Sequence, residues 1–114
     1  GVSDMRMWNV RPDYLCRKHL LGEHVEMHMF VGAIKKGISL KGYIENKLVE
    51  TDKIQQRHDE LSIEMISRGF NHKSPIDSVD IPAVGNIDIV GNIKELIKRC
   101  PDCKERLSND GWGK

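Results

Sequence analysis

The sequence predicts an all-α protein: a compact cluster of three main helices, with a long N-terminal helix and irregular loops. Three segments carry apolar residues at helical spacing, and stretches with Gly and Pro separate them. The alternation of apolar and polar residues that predicts strands is rare along the chain. The 114 residues suffice for one domain with a modest core. We place this domain at residues 5–107, followed by a C-terminal tail at 108–114.

The first predicted helix runs from Pro12 to Lys36. A proline is tolerated in a first helical turn, and Lys35 and Lys36 complement the negative end of the helix dipole. Gly37 follows as a C-terminal cap. At about 1.5 Å per residue the helix would be about 35 Å long, which is long for a small domain.

The remaining helices are bounded by capping residues and prolines. A short helix is expected near 40–46, and the second main helix runs from Thr51 or Asp52 to Arg68. Its inward stripe is Ile54, His58, Leu61 and Met65. The third spans 86–99, ends before Pro101, and turns four residues to the core: Ile89, Ile93, Leu96 and Ile97. The polar chain beyond it is expected to be ordered only if Trp112 docks, whereas Trp8 is expected to be a core anchor.

Composition narrows the function classes only slightly. The net charge is +1 with 31% charged residues, so no global basic field indicates nucleic acid. Two local groups of basic residues are open to two interpretations, a phosphate-binding face or a solvated helix surface: Arg17, Lys18, Lys35, Lys36 and Lys41, and Lys94, Lys98, Arg99, Lys104 and Arg106. We expect no membrane span, because no apolar run reaches about 18 residues.

The cysteine count and the first residues bear on the compartment. Three cysteines without a visible secretory signal predict a reducing compartment, the cytoplasm. The residues Gly1 to Asp4 ahead of Met5 are expected to be an expression scar, with Met5 as the natural initiator.

One face of the first predicted helix combines acidic residues with a histidine. His19, Gly22, Glu23 and Glu26 fall at i, i+3, i+4 and i+7, so they share one side of the helix. Glycine destabilises a helix interior by about 1 kcal/mol relative to Ala. Gly22 therefore indicates that something approaches closely beside the carboxylates.

Cysteines and histidines allow a competing metal hypothesis. Cys100 and Cys103 form a C-x₂-C pair, and Cys16 with His19 would complete a zinc-binding Cys₃His set if the first and third helices are adjacent. The pair is equally compatible with unpaired thiols. His24 and His28 have the spacing of a zinc-protease helix, but Glu26 follows the first histidine by two residues and lies on another face, which argues against a protease.

Two stretches resemble one family of repair enzymes. H-L-L-G-E-H-V-E (19–26) with F-V-G-A-I-K-K (30–36), and later E-M-I-S-R-G-F-N (64–71), resemble the pyrimidine-dimer DNA glycosylases of phages and viruses, the endonuclease V type of base-excision repair enzyme. The resemblance covers residues 5–36 well and 52–71 moderately. It implies a DNA glycosylase with abasic-site lyase activity on damaged pyrimidines such as cyclobutane dimers. Such an enzyme would act as a monomer on double-stranded damaged DNA. It would be encoded by a phage and work in the cytoplasm of a bacterial host.

The resemblance also implies residue roles. The nucleophile would be an N-terminal α-amine, at the position of Met5, with Glu26 as the catalytic carboxylate and His19 as an active-site histidine. With four residues ahead of Met5 its nitrogen is an amide, so this longer chain is expected to be impaired. The expected DNA-binding residues are Arg6, Arg17, Lys18, Glu23, Lys35 and Lys36.

Departures from the family pattern leave a second interpretation open. Val25 and Met29 stand where the family presents arginines to DNA, so another damaged base is a possible substrate. The reaction needs no cofactor, with zinc at Cys16, Cys100 and Cys103 as the alternative. A non-catalytic, zinc-stabilised module that binds nucleic acid or protein is the alternative function.

Overall fold

The computed structural model describes residues 6–71, 75–76 and 82–112, and in these ranges it contains five α-helices and no strand. They are α1 (Arg17–Lys35), α2 (Lys41–Glu45), α3 (Ile54–Ser67), α4 (Ile89–Arg99) and α5 (Pro101–Asn109). Short 3₁₀ turns at Pro12–Tyr14 and Thr51–Lys53 precede α1 and α3. The predicted all-α class is confirmed, and the three main predicted helices correspond to α1, α3 and α4.

The first helix begins five residues later than predicted. After the turn at Pro12–Tyr14 the backbone is extended at Leu15 and Cys16, and α1 starts at Arg17. Leu15 is completely buried. The guanidinium of Arg68 donates to the carbonyl oxygens of Pro12 at 3.2 Å and of Leu15 at 2.7 Å. This contact with the end of α3 satisfies carbonyls that a continuous helix would have paired, and sequence spacing alone does not show it.

The C-terminal region contains a helix that the sequence did not predict. Pro101 does end α4, but it also occupies the first turn of α5, where a proline is tolerated. α5 buries Cys103 and Leu107 against the rest of the protein. Beyond α5, the indole of Trp112 donates to the hydroxyl of Tyr14 at 3.3 Å, so Trp112 docks against the protein.

The core lies between α1 and α3 and extends to the α4–α5 pair. The predicted inward stripe of α3 is buried, and so are Ile93 and Leu96 of α4. The prediction for Ile89 was wrong: it is 43% exposed, because α4 begins only at this residue and its buried face starts at Asn92 and Ile93. None of the described helices has the length and apolar character needed to cross a membrane.

The N-terminal segment 6–10 packs into the core beside α1. Met7 and Trp8 are buried, which confirms Trp8 as a core anchor. The backbone N–H of Met7 donates to the carbonyl of Leu48 at 2.6 Å, and the side-chain amide of Asn92 donates to the carbonyl of Trp8 at 2.7 Å. These bonds hold the segment at a fixed position beside α1.

Candidate active site

A cavity of about 400 Å³ lies where the N-terminal segment, α1 and the end of α4 meet. Its walls combine the four predicted residues of α1 with three others: His19, Gly22, Glu23 and Glu26, together with Trp8, Lys18 and Arg99. The shared helix face was therefore predicted correctly. The contributions of Trp8 and Arg99 were missed, because they come from segments distant in sequence.

Glu26 lies half-buried at the wall of this cavity. Its Oε2 accepts a hydrogen bond of 3.2 Å from the backbone N–H of Arg6. Arg6 follows Met5 in the chain, and Met5 lies outside the described residues. The guanidinium carbon of Arg6 stacks 4.4 Å from the centre of the Trp8 ring. The carboxylate thus lies beside the backbone of the residue that follows the predicted nucleophile.

Glu23 has different surroundings, although it also borders the cavity. Its side chain is completely buried and makes a bidentate ion pair with Arg57 of α3, with distances of 2.6 Å and 2.9 Å. Burial lowers the pKa of Arg57, but the charge and hydrogen bonds of Glu23, together with those of Glu60, outweigh burial and raise it. Sequence reasoning missed Arg57, although it lies three residues after Ile54 and four before Leu61, on the inward face of α3.

Gly22 leaves an opening in the wall, and basic residues flank it. A β-carbon at this position would meet no atom of a neighbouring segment within 4 Å. Lys18 and Arg99 are exposed. Partial burial lowers the pKa of His19, and the charges of Lys18 and Arg99 lower it further. A negatively charged group could therefore approach α1 closely between two cations.

Behind the cavity, three cysteines gather around His19. The Nδ1 atom of His19 lies 3.3 Å from the sulfur of Cys16 and 3.5 Å from that of Cys103. The sulfurs of Cys16 and Cys100 are 3.8 Å apart. All four ligand atoms lie within 4.8 Å of one another, close enough to hold a metal ion. The Cys₃His set that the sequence suggested does come together, because the start of α1 lies against the start of α5.

Hydrogen bonds and burial shift the pKa values of two thiols in this set, those of Cys100 and Cys103. The backbone N–H of Cys16 donates to the Cys103 sulfur at 3.2 Å, and that of Cys103 donates to the Cys100 sulfur at 3.4 Å. Burial alone would raise the pKa of Cys100, but hydrogen bonds to its sulfur lower it, and the largest of these contributions comes from the backbone N–H of Cys103. Burial raises the pKa of Cys103. Bonds of about 2.3 Å to sulfur and 2.0–2.1 Å to nitrogen put tetrahedral ligands about 3.6–3.8 Å apart, close to the observed spacing.

The remaining predicted residues lie on α1 and its C-terminal end. Arg17, Lys18, Lys35 and Lys36 are exposed, and the guanidinium carbon of Arg17 lies 5.3 Å from the centre of the Phe70 ring. Val25 and Met29 are 54% and 52% exposed. The basic residues and these two apolar side chains therefore share the outer surface of α1, whereas Glu23 does not.

A comparison with known protein families places the chain in one of them. A sequence model of the family described as pyrimidine dimer DNA glycosylase matches residues 5–78, more than half of the chain. The chain belongs to this family. No curated protein and no solved structure matches it. The match includes the N-terminal segment, α1 and α3. The helices α4 and α5 lie beyond it, and so do Arg99, Cys100 and Cys103.

Proposed function

We propose that this protein is a DNA repair glycosylase with abasic-site lyase activity on damaged pyrimidines such as cyclobutane dimers. Its membership in the glycosylase family supports the substrate class. One observation carries the assignment of the site: the Glu26 carboxylate, at the cavity wall, accepts from the backbone nitrogen of Arg6, the residue after Met5. We assign the nucleophile to the α-amine of a chain that begins at Met5.

The proposed reaction forms a covalent link between protein and sugar. The amine lone pair attacks C1′, the bond from C1′ to the base breaks, and the base leaves with the bonding electrons and takes up a proton. Loss of the amine protons and opening of the sugar ring give an imine. Removal of a C2′ proton then expels the 3′ phosphate by β-elimination. Glu26 would stabilise the cationic sugar and accept the C2′ proton.

An α-amine suits this chemistry because its ordinary pKa is about 7.7–8.0, whereas that of lysine is about 10.4. A substantial fraction of the amine is therefore neutral near pH 7. When four residues precede Met5, this nitrogen becomes an amide and loses its nucleophilic lone pair. The start of the chain therefore provides a direct test.

The test is borohydride trapping on abasic DNA with two proteins, one that begins at Met5 and one that begins at Gly1. We expect a covalent protein–DNA product, and strand cleavage, with the shorter protein only. Equal trapping by both proteins would refute the Met5 assignment. No trapping and no cleavage by either protein, with DNA binding retained, would favour a non-catalytic module.

The outer surface of α1 is the proposed DNA-binding face. Arg17, Lys18, Lys35 and Lys36 on this surface, together with Arg6 of the N-terminal segment, would neutralise phosphates of double-stranded DNA. Each lost contact reduces the salt dependence of binding. The exposed Val25 and Met29 would contact the opened duplex. Exposing a nucleotide costs a few kcal/mol and is cheapest at a damaged pair, which supplies part of the selectivity.

The same protein is proposed to hold a zinc ion in the Cys₃His set. This ion would join α1 to the α4–α5 pair, the part of the chain beyond the family match. Nδ1 of His19 faces the sulfurs of Cys16 and Cys103, and the two nitrogens of an imidazole ring point in different directions. A metal on Nδ1 would therefore leave Nε2 as a fixed hydrogen-bond donor, so a metal role and an active-site role for His19 are compatible.

Metal analysis tests this second part of the proposal. We expect zinc to co-purify with the protein, and the Cys100→Ser variant to lose it and to melt at a lower temperature. A zinc content near zero in freshly purified, reduced protein, with unchanged melting after chelator treatment, would contradict a structural zinc ion. Zinc without lyase activity in the protein that begins at Met5 would instead support the non-catalytic module.

A further inference from the structure

Three histidines meet on the opposite side of α1 from the Cys₃His set. His24 and His28 come from consecutive turns of α1, and His58 comes from α3. Five residues separate His19 from His24, a rotation of about 140° around the helix, so the two groups face different directions. One ring nitrogen from each of the three histidines lies within 4.8 Å of the others.

The three rings converge closely. The centroid of the His58 ring lies 4.6 Å from that of His24 and 4.8 Å from that of His28, and the two α1 rings are 5.0 Å apart. His24 is 7% exposed and His58 is 2% exposed. Metal-bound ring nitrogens at about 2.0–2.1 Å in a tetrahedral site lie about 3.4 Å apart, a spacing inside the 4.8 Å that bounds the separations observed here.

A second observation at His58 points to a metal. Its Nδ1 lies 3.0 Å from the carboxylate of Asp59. A histidine that binds a metal through one nitrogen typically donates the N–H of the other to a carboxylate, which fixes the tautomer and orients the ring. With Nδ1–H donating to Asp59, this tautomer carries its lone pair on Nε2, the ring nitrogen through which the metal would be bound.

We propose that His24, His28 and His58 form a second metal site, for a divalent transition ion such as Zn²⁺, Co²⁺, Ni²⁺ or Cu²⁺. Imidazole nitrogen suits these ions, whereas Mg²⁺ and Ca²⁺ prefer oxygen ligands. Three protein ligands leave one position for water or an exchangeable group. His28 is half-buried, whereas His24 and His58 are buried, so solvent reaches the cluster at His28 and an ion would enter there.

Such an ion would clamp α1 to α3 beside the Glu23–Arg57 ion pair. His58 follows Arg57 directly, and His24 follows Glu23, so the two cross-links between the helices are adjacent. The site is independent of the proposed lyase chemistry, because none of its ligands lines the cavity.

The experiment is a Co²⁺ titration of metal-free, reduced protein, followed by absorption spectroscopy and metal analysis. The His28→Gln variant removes one ligand at a half-buried position, and the Met29→Gln variant is the matched control on the same helix. Cobalt in a thiolate site gives an intense sulfur-to-metal charge-transfer band in the near ultraviolet, whereas cobalt bound by three imidazoles gives only weaker d–d bands in the visible.

We expect the wild-type protein and Met29→Gln to bind one Co²⁺ ion in addition to any ion in the Cys₃His set. This ion should add d–d bands in the visible without adding to the thiolate charge-transfer band. His28→Gln should lose this ion while its circular dichroism is unchanged. Equal stoichiometry and spectra for wild type and folded His28→Gln would overturn the site. If only His28→Gln fails to fold, the same titration of His24→Gln decides, and retention of the thiolate-free ion there overturns the proposal.

Discussion

Glu23 and Glu26 lie one turn apart on α1, and both border the same cavity, but their surroundings differ. Glu23 is completely buried, and both of its oxygens contact the guanidinium of Arg57. Glu26 is half-buried, and its carboxylate accepts from the backbone of Arg6. The partner helix therefore decides the surroundings of each carboxylate: Glu23, which faces α3, is part of the core, and Glu26, one turn later, lies half-buried at the cavity wall.

The first test of this contrast is Glu26→Gln. The amide keeps the shape of the side chain and can still accept from Arg6, but it can no longer take a proton or carry a charge. We expect strand cleavage at abasic sites to fall about 10²- to 10⁴-fold, with DNA binding retained. Stability should change by about 1 kcal/mol or less. Single-turnover cleavage and thermal melting measure both effects.

Glu45→Gln is the matched control for this variant. Glu45 is an exposed residue of α2 that pairs with Lys41 at 3.7 Å, so its change should affect neither cleavage nor melting. If Glu26→Gln cleaves as fast as wild type, Glu26 does not move the proton, and the proposed chemistry needs another base.

Glu23→Gln should have the opposite profile. It leaves the buried guanidinium of Arg57 without its main counter-charge, and breaking a buried pair on one side costs about 3–5 kcal/mol. We expect a much lower melting temperature, with cleavage per folded molecule close to wild type at low temperature. Denaturant unfolding and active-site titration separate the two quantities.

A double variant checks whether the charge is the cause. Replacing both partners, Glu23→Leu with Arg57→Met, removes the uncompensated charge and should recover much of the lost stability. If the double variant is as unstable as Glu23→Gln, cavity or packing effects dominate over the ion pair. A wild-type stability for Glu23→Gln itself would show that the pair contributes little.

The smallest expected effect concerns Gly22, whose missing side chain leaves an opening in the cavity wall beside the two carboxylates. Gly22→Ala should stabilise α1 by about 1 kcal/mol, raising the melting temperature by about 4 °C, because the added methyl group meets no neighbouring segment. If DNA approaches the helix at this point, cleavage should fall about 10- to 100-fold.

Gly32→Ala is its control on the same helix. Gly32 also has open space around a β-carbon, but it does not line the cavity. It should give the same gain in melting temperature with unchanged cleavage. Equal activity of both alanine variants would mean that the missing side chain of Gly22 is not used by the substrate.

Much of the site was visible in the sequence because it lies on one helix. The spacing of His19, Gly22, Glu23 and Glu26 placed them on one face, and all four line the cavity. The assignment of catalytic roles to them came from the family resemblance and stays a prediction. Spacing could not separate Glu23 from Glu26, because that distinction depends on the position of Arg57 on another helix.

The metal-ligand clusters show the same limit. The C-x₂-C pair and the Cys16–His19 spacing were local signals, and their meeting depended on α1 lying against the start of α5. His24 and His28 were a recognisable pair, but His58 lies thirty residues further on and had been assigned only to the inward stripe of α3. The α5 helix was missed because a proline after a helix indicates an end and equally suits a first turn.

By itself, the sequence determined the helical class, the main helix positions and the face of α1 that carries the acidic residues. These properties follow from periodicity, capping and local charge, which act between residues a few positions apart. Only the tertiary structure decided which carboxylate is buried, where α1 begins and which residues complete the clusters. Burial and pairing depend on desolvation by neighbours that are far away in sequence, and local spacing carries no information about them.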